Sequence, residues 1–477
     1  MERKSVPRSP QEVLVLCREH DVKAIDLKFT DLIGQWHHMT VPVSRLAEQS
    51  FEDGFGYNGT GMRGWQSPSG YDILLVPLPE TACIDPFTSM PTLSMVCATF
   101  DPITREEFGP DPRHLARRAE HYLTSLGIAD TAFIGPEVEF FIFDDVQFDQ
   151  SEGEAFYRID SSEAQWSRGT HEGPNLGHKI RHQEGYSPCP PLDQFVDIRT
   201  EMMQTLIECG VDAKCHHHEI GTAGQAQINF RHSNLVKAAD NVMMYKYIVK
   251  NVVRRHGKTA TFMPQPLMGD HGSGMHTHLS LWKGGEPLFA GKSYAGLSDV
   301  GLNALGGILK HTPALLAFTN PTTNSYRRLA PCNGAPTQIT YSQRIRTAAC
   351  RIPMLSPSPK SKRIEFRCPD PSCNPYLGFA AILMAAIDGV QNKIHPGEPF
   401  DRDTLEIAPE ITRTAAETPN SLSTALDALQ SDYDFLLRGD VFSEEMVFNW
   451  INYKRRHDVD PIRSRPHPYE FCMYFDV

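Results

Sequence analysis

Several features are missing from this chain of 477 residues. It has no run of 18 apolar residues, so a membrane-spanning helix is not expected. Its 11 cysteines, an odd number, form no Cys-x-x-Cys pair and no framework-like spacing, so the thiols read as reduced and structural. No cationic-then-apolar leader opens the chain, because MERKSVPRSPQEVL turns into an amphipathic helix signal. Together these features make a cytoplasmic protein the expectation. Basic residues are in deficit, 46 Lys and Arg against 58 Asp and Glu. The resulting formal charge of −12 argues against a general nucleic-acid binder, though a local arginine cluster can still hold a small anion. There is no GxxxxGK[ST] segment, so a nucleotide would be held through metal and arginine rather than by a P-loop.

What is present describes a globular protein. Hydrophobic residues make up 40% and charged residues 22%, enough for a sizeable core. Ser9-Pro10-Gln11-Glu12 reads as an N-cap, a proline at the first helical position and an acid, opening a helix through about Glu19. AIDLKFTDLIG and QWHHMTVPV alternate around a glycine and predict a hairpin, and DILLVP and LSMVCATFD predict further strands. The turn-rich DPITREEFGPDPR is the best boundary candidate, dividing a mostly β unit over 1–110 from a larger α+β unit over 111–477. Helical spacing continues at Leu115, Ala119, Tyr122, Leu123 and Leu126, and again from about Leu235 to His256.

The chemistry is concentrated in one recurring pattern. In FIGPEVEFFIF, Glu137 and Glu139 stand two apart in an apolar strand, so both side chains point to one face. His276 and His278 repeat the pattern in GSGMHTHLSLW, as do Glu365 and Arg367 in KRIEFRCPD. One such pair is usually a solvated face. Three of them suggest a single polar cavity lined by sheet. CHHHEIGTAGQAQ, Cys215 to Gln227, adds Glu219 as the only acid beside three histidines, most of which read as packing or supporting residues. Several carboxylates with a single imidazole favour Mg²⁺ or Mn²⁺ over structural zinc. Arg327, Arg328, Arg344, Arg346, Arg351, Lys360, Lys362, Arg363 and Arg367 form a basic constellation interleaved with apolar residues. It suits phosphate and carboxylate ligands. These parts predict metal-dependent phosphoryl transfer to a small anionic substrate.

The chain resembles type I glutamine synthetase from end to end, through GPEVEFF, HHHEIGTAGQ, GSGMHTHLSL, NPTTNSYRRL, RIEFRCPDPSCNPYL and NKIHPGEP. The resemblance implies a small N-terminal β-grasp-like domain and a large catalytic domain with a curved antiparallel sheet wrapped by helices. It implies an ATP-dependent ligase that phosphorylates the γ-carboxylate of glutamate and then lets an amine displace phosphate. The metal-binding positions it implies for Mg²⁺ or Mn²⁺ are Glu139, Glu219 and Gln227 for one ion, and Glu137, His276 and Glu365 for the other. Arg328 and Arg367 match arginines that hold glutamate, Gly272 matches a backbone contact to it, and Arg346 matches a phosphoryl-transfer arginine. His278, Ser280, Arg351, Lys360 and Arg363 match the ATP side. The family also implies a dodecamer of two hexameric rings, each active site being completed by a neighbour's small domain.

The departures from the family pattern cluster. Asn58 stands where the family has an aspartate, Gly61 where it has a serine, and Gly334 where it has the flap glutamate that helps deprotonate ammonium. Ser187 follows Tyr186 where a bulkier aromatic is common. His271 replaces an asparagine that contacts glutamate, and Gln227 replaces a metal-binding glutamate. Leu405 occupies the position of the tyrosine adenylylated in some members. Asn58, Gly61, Tyr186, Ser187 and Gly334 therefore form an amine pocket that has lost two negative charges, each worth roughly 4 kcal/mol at 4 Å and an effective dielectric of 20. The leading expectation is a ligase whose acceptor amine is larger than ammonia. The alternatives are an ordinary glutamine synthetase, and a non-catalytic homologue acting as a sensor or scaffold.

Overall fold

The computed structural model describes residues 8–64, 72–167, 176–331, 334–354, 356–401 and 416–477; Leu405 lies outside them. The first helix, α1 (Pro10–Glu19), begins where the Ser9 hydroxyl accepts a hydrogen bond from the Glu12 amide at 3.2 Å, and it buries Val13 and Cys17. The expected hairpin follows as β1 (Ala24–Thr30) and β2 (Trp36–Pro42), paired antiparallel. A short helix, α2 (Ser50–Asp53), leads into β3 (Phe55–Asn58). The glycines of GFGYNG thus lie on a helix-to-strand entry, the reverse of the strand-to-helix order a dinucleotide site requires. With β4 (Asp72–Pro77), β5 (Cys83–Ile84) and β6 (Thr92–Phe100) these strands form a six-stranded sheet in the order β2-β1-β6-β4-β3, with β5 also on β6. The β1–β6 pair is parallel.

The larger part opens with α3 (Pro112–Ser125), capped by Asp111. Its sheet is built from β7 (Thr131–Phe143), β10 (Ala213–His218), β11 (Gln225–Phe230), β14 (Met275–Lys283), β16 (Gln338–Ser342), β17 (Ala348–Arg351) and β18 (Ile364–Phe366). Their order is β10-β11-β7-β14-β18-β17-β16, with β12 (Ser233–Asn234), β13 (Thr259–Thr261) and β15 (Glu286–Pro287) at the margins. Every pair along this path is antiparallel except β16–β17, which is parallel. A separate hairpin of β8 (Asp145–Gln150) and β9 (Ala155–Asp160) projects Phe148 and Tyr157 into solvent.

The helices α4 (Val196–Glu208), α5 (Leu235–Arg255), α6 (Asp299–Thr319), α7 (Ser325–Arg328) and α8 (Pro375–Gln391) complete the frame. Nearly all of α8 is buried, including Leu377, Phe379 and Leu383, and each such side chain contributes about 1.5–3 kcal/mol. It approaches α6 closely because a Cβ on Gly307 would lie 2.7 Å from the Gly389 Cα. The Asn374 side chain caps α8 and donates to the Leu32 carbonyl, in the turn after β1, at 3.0 Å, which ties the larger part to the smaller. The Lys28 ammonium, buried on β1, lies 3.9 Å from the Tyr247 ring on α5. All ten cysteines among the described residues are free, and no helix there is long and apolar enough to cross a membrane.

Candidate active site

Strand register decides which polar groups meet. Gln227 on β11 lies opposite Glu139 on β7, and Glu137 lies opposite His276 on β14. His278 lies opposite Glu365 on β18, which in turn lies opposite Arg351 on β17. One row of side chains therefore crosses five strands. Glu137, His278 and Glu365 bring ligand atoms within 4.8 Å of one another, a spacing that fits a divalent cation. The Glu137 Oε1 is 2.9 Å from His278 Nε2, while His276 Nδ1 lies 3.6 Å from Glu137 and 3.8 Å from Glu365. His278, expected on the nucleotide side, thus faces the same carboxylates as His276, expected as a ligand. Burial alone would raise the Glu137 carboxyl, but His276 and His278 hold it well below its usual range. Glu365 is likewise held low against its burial by His278 and Arg367, and it pairs with Arg367 and, at 3.2 Å, with Arg351.

Glu139 and Glu219 behave in the opposite way. Burial, reinforced by Glu219, pushes the Glu139 carboxyl up to about 7. Burial, with Glu137 adding to it, pushes Glu219 up to about 7 as well. Two acids, Glu139 buried and Glu219 largely so, without a full complement of positive charge are what a bound cation would relieve. Gln227 adds no charge, and its amide donates to Asn229 at 2.5 Å.

Residues not singled out from the sequence hold these groups in place. Gln225, two residues before Gln227, donates to Glu139 at 3.4 Å and to the Gly272 carbonyl at 3.0 Å. The alternation of strand side chains could have flagged it. The fully buried His218 sits 3.0 Å from Glu163, and its other nitrogen is 2.6 Å from the Glu219 carbonyl, which fixes that backbone. Glu163 lies in a loop with no periodic signal. His216 is turned toward Arg199 and Thr200, whereas His217 lies 3.4 Å from the Glu219 carboxylate.

The arginines fall into two groups. Arg328, at the end of α7, is buried and donates to the carbonyls of Cys368 at 2.8 Å and Arg367 at 3.1 Å. Arg367 donates to the carbonyl of Arg346, whose own side chain is exposed in the turn before β17. On the expected nucleotide side, Arg363 donates to His278 Nδ1 at 3.1 Å and Ser280 accepts from Trp282 at 3.1 Å. Lys360 is exposed in the helical turn Pro359–Ser361. A Cβ on Gly272 would come within 3.0 Å of Arg328 and closer still to Pro264 and Gln265, so the backbone there is approached on all sides.

The expected amine-pocket residues are spread over three segments. Asn58 accepts from the Thr60 amide at 2.9 Å, and Gly61, in the following turn, has open space around it. Tyr186 rests edge-on against His217 with ring centroids 5.7 Å apart, and Ser187 has a positive φ of 52°. Gly334 has a φ of +70°, and a Cβ there would lie 2.8 Å from Cε1 of His271. In the chain, therefore, Tyr186 adjoins the Glu219 side and Gly334 adjoins His271.

Comparison with known proteins gives a consistent result. The family model described as glutamine synthetase, catalytic domain, matches residues 109–474, and that described as glutamine synthetase, beta-Grasp domain, matches residues 21–102. The glutamine synthetase of Microchaete diplosiphon is 52% identical over 468 residues, covering 98% of this chain and 99% of that one. That of Aquifex aeolicus is 51% identical over 469 residues, with coverage of 98% and 99%. Among solved structures, Plasmodium falciparum glutamine synthetase superposes with a TM-score of 0.89 at 26% identity, covering 99% of this chain and 100% of that one. A GmaS/ADP complex superposes with a TM-score of 0.81 at 28% identity, covering 97% and 99%.

Proposed function

Because the chain belongs to the glutamine synthetase family of ATP-dependent ligases, we propose that it joins glutamate to an amine larger than ammonia, making a γ-glutamylamide. The observation that carries this reading is Gly334. Where the family resemblance places a proton-accepting carboxylate, this chain has no side chain, and His271 fills the space beside it. Asn58, in the small domain, removes a second negative charge from the same subsite. A small ammonium ion is thereby left without its counter-charges, while an alkylamine, which carries part of its binding energy in its carbon chain, depends on them less.

Glu139 and Glu219, with their raised carboxyls, and the trio of Glu137, His278 and Glu365 suit Mg²⁺ or Mn²⁺, with His276 and Gln227 beside them. Such ions would neutralise the charge on the transferred phosphoryl group. Arg346, Arg328 and Arg367 are assigned to glutamate and to phosphoryl transfer, and His278, Ser280, Arg351, Lys360 and Arg363 to ATP. His271 and Gly272 complete the glutamate side. The two functional units are taken as 1–110 and 111–477, in a cytoplasmic dodecamer of two rings. The exposed aromatic residues Phe148 on β8 and Phe471 and Phe475 near the C-terminus offer surfaces in keeping with such assembly.

The test is phosphate release with ATP, Mg²⁺, glutamate and a panel of amines. Turnover fastest with an alkylamine is expected, and turnover fastest with ammonium would overturn the proposal. A second reading, an ordinary glutamine synthetase, is favoured by the identity of about half to proteins of that name over 98% of the chain. The double variant Asn58→Asp, Gly334→Glu separates the two, since only the first reading expects it to gain activity with ammonium.

A further inference from the structure

An amine is protonated in neutral water, so it must lose a proton before its nitrogen can attack a carbonyl carbon. On the reading above, neither Gly334 nor Asn58 can accept that proton, and Glu139 and Glu219 belong to the cation site. We infer that His271 is the base that deprotonates the acceptor amine, a role displaced from position 334 onto the ring that occupies its space. The inference rests on the proposed amine chemistry but not on the size of the amine.

Geometry supports it at three points. A Cβ at 334 would lie 2.8 Å from Cε1 and 3.1 Å from Nδ1 of His271, so the ring's Nδ1–Cε1 edge faces that position. The backbone beneath the ring is fixed: the Asp270 carboxylate accepts from the His271 amide at 2.8 Å and from the Thr222 amide at 2.9 Å. Gln265 donates to the Asp270 carbonyl at 2.8 Å, and Gln225 donates to the Gly272 carbonyl at 3.0 Å. Neither ring nitrogen of His271 has a hydrogen-bond partner among the described residues. Burial lowers the ring's affinity for protons; Asp270 opposes this and His182, the other titratable group facing it, adds to it. The net shift is downward, which favours the neutral form of the ring, the form that can take a proton.

The step balances without a further reactant. The ammonium nitrogen gives one proton to His271, and its freed lone pair forms the C–N bond at the γ-carbonyl carbon of the acyl phosphate. The C–O bond to phosphate breaks, and phosphate leaves with that electron pair. The second proton on nitrogen passes to the departing phosphate, and the imidazolium returns its proton to solvent.

The experiment compares methylamine and ammonium, both protonated at pH 7, with hydroxylamine, which is largely neutral there. For His271→Asn and His271→Gln, the ratio of kcat/KM with methylamine to that with hydroxylamine should fall about 100-fold or more, the usual contribution of a positioned base. Taking the ratio cancels losses in folding or glutamate binding. Added imidazole should restore methylamine turnover in His271→Gly, following the free-base concentration. An unchanged ratio, absence of rescue, or a His271→Asn variant equally dead toward hydroxylamine would overturn the assignment. If ammonium proves the better acceptor, the larger-amine reading fails, and the same ratio measured with ammonium still tests His271.

Discussion

Gln227 and Glu139 face each other directly across the β11–β7 pair, an amide opposite a buried carboxylate. With Glu219 nearby, Glu139 already carries a raised pKa, so a third acid in this corner would be tolerated only with a cation present. Gln227→Glu is therefore expected to lower the melting temperature in EDTA, since like charges would be buried together. It should also tighten Mn²⁺ binding by about tenfold or more, because another anion faces the ion. Thermal melts with and without metal, together with calorimetric titration, check both directions.

The pH dependence of the metal-free protein follows from the same pair. Burial pushes the Glu139 and Glu219 carboxyls of the folded chain up to about 7, well above an ordinary carboxyl. The folded chain therefore holds protons that the unfolded chain releases, and their stabilising contribution is complete below about pH 4.5. It is lost as pH rises from there to about 7 and stays absent above. Cation binding must displace these protons, so the log of Mn²⁺ affinity should rise with pH below about 7, with a slope approaching about two, and then flatten. Melting in EDTA and Mn²⁺ titration between pH 5 and 8 measure the two trends.

Glu365 neutralises two guanidiniums at once, those of Arg351 and Arg367, with only 2% of its side chain exposed. Glu365→Ala should destabilise the fold by about 3–5 kcal/mol, because both cations lose a buried partner. Urea unfolding checks the magnitude. Glu365→Gln keeps the shape and should lose less stability while still abolishing tight metal binding.

Gly272 has no room for a side chain between Pro264, Gln265 and Arg328. Gly272→Ala should cost about 1–3 kcal/mol through overpacking. The accompanying shift of the 270–272 backbone should raise KM for glutamate more than KM for ATP, and steady-state kinetics would separate the two.

How much of this could be read from the sequence depends on the distance between partners. Glu137 with Glu139, and His276 with His278, were legible because strand side chains alternate within a few residues. The β1–β2 hairpin and the start of α1 were legible for similar local reasons, a glycine turn and a serine cap. Which imidazole meets which carboxylate was not, because pairing between β7, β14 and β18 sets it, and a shift of one residue would reverse every face. The contact between His271 and position 334 was hidden further still, since two irregular loops 63 residues apart carry no repeating pattern. The buried Glu163–His218 pair was invisible for the same reason.

The row of polar groups crosses the large sheet rather than following any one strand, and its members come from positions 137, 139, 227, 276, 278, 351 and 365. No local segment can hold a cation in advance. The ligand set comes into being only when strands more than 200 residues apart in sequence, β7 and β18 among them, have joined the same sheet. Contacts of such long range form late and slowly during folding. Divalent ions should consequently leave the folding rate unchanged and slow unfolding, so that in this protein the metal acts as a lock on the finished sheet and not as a seed for it.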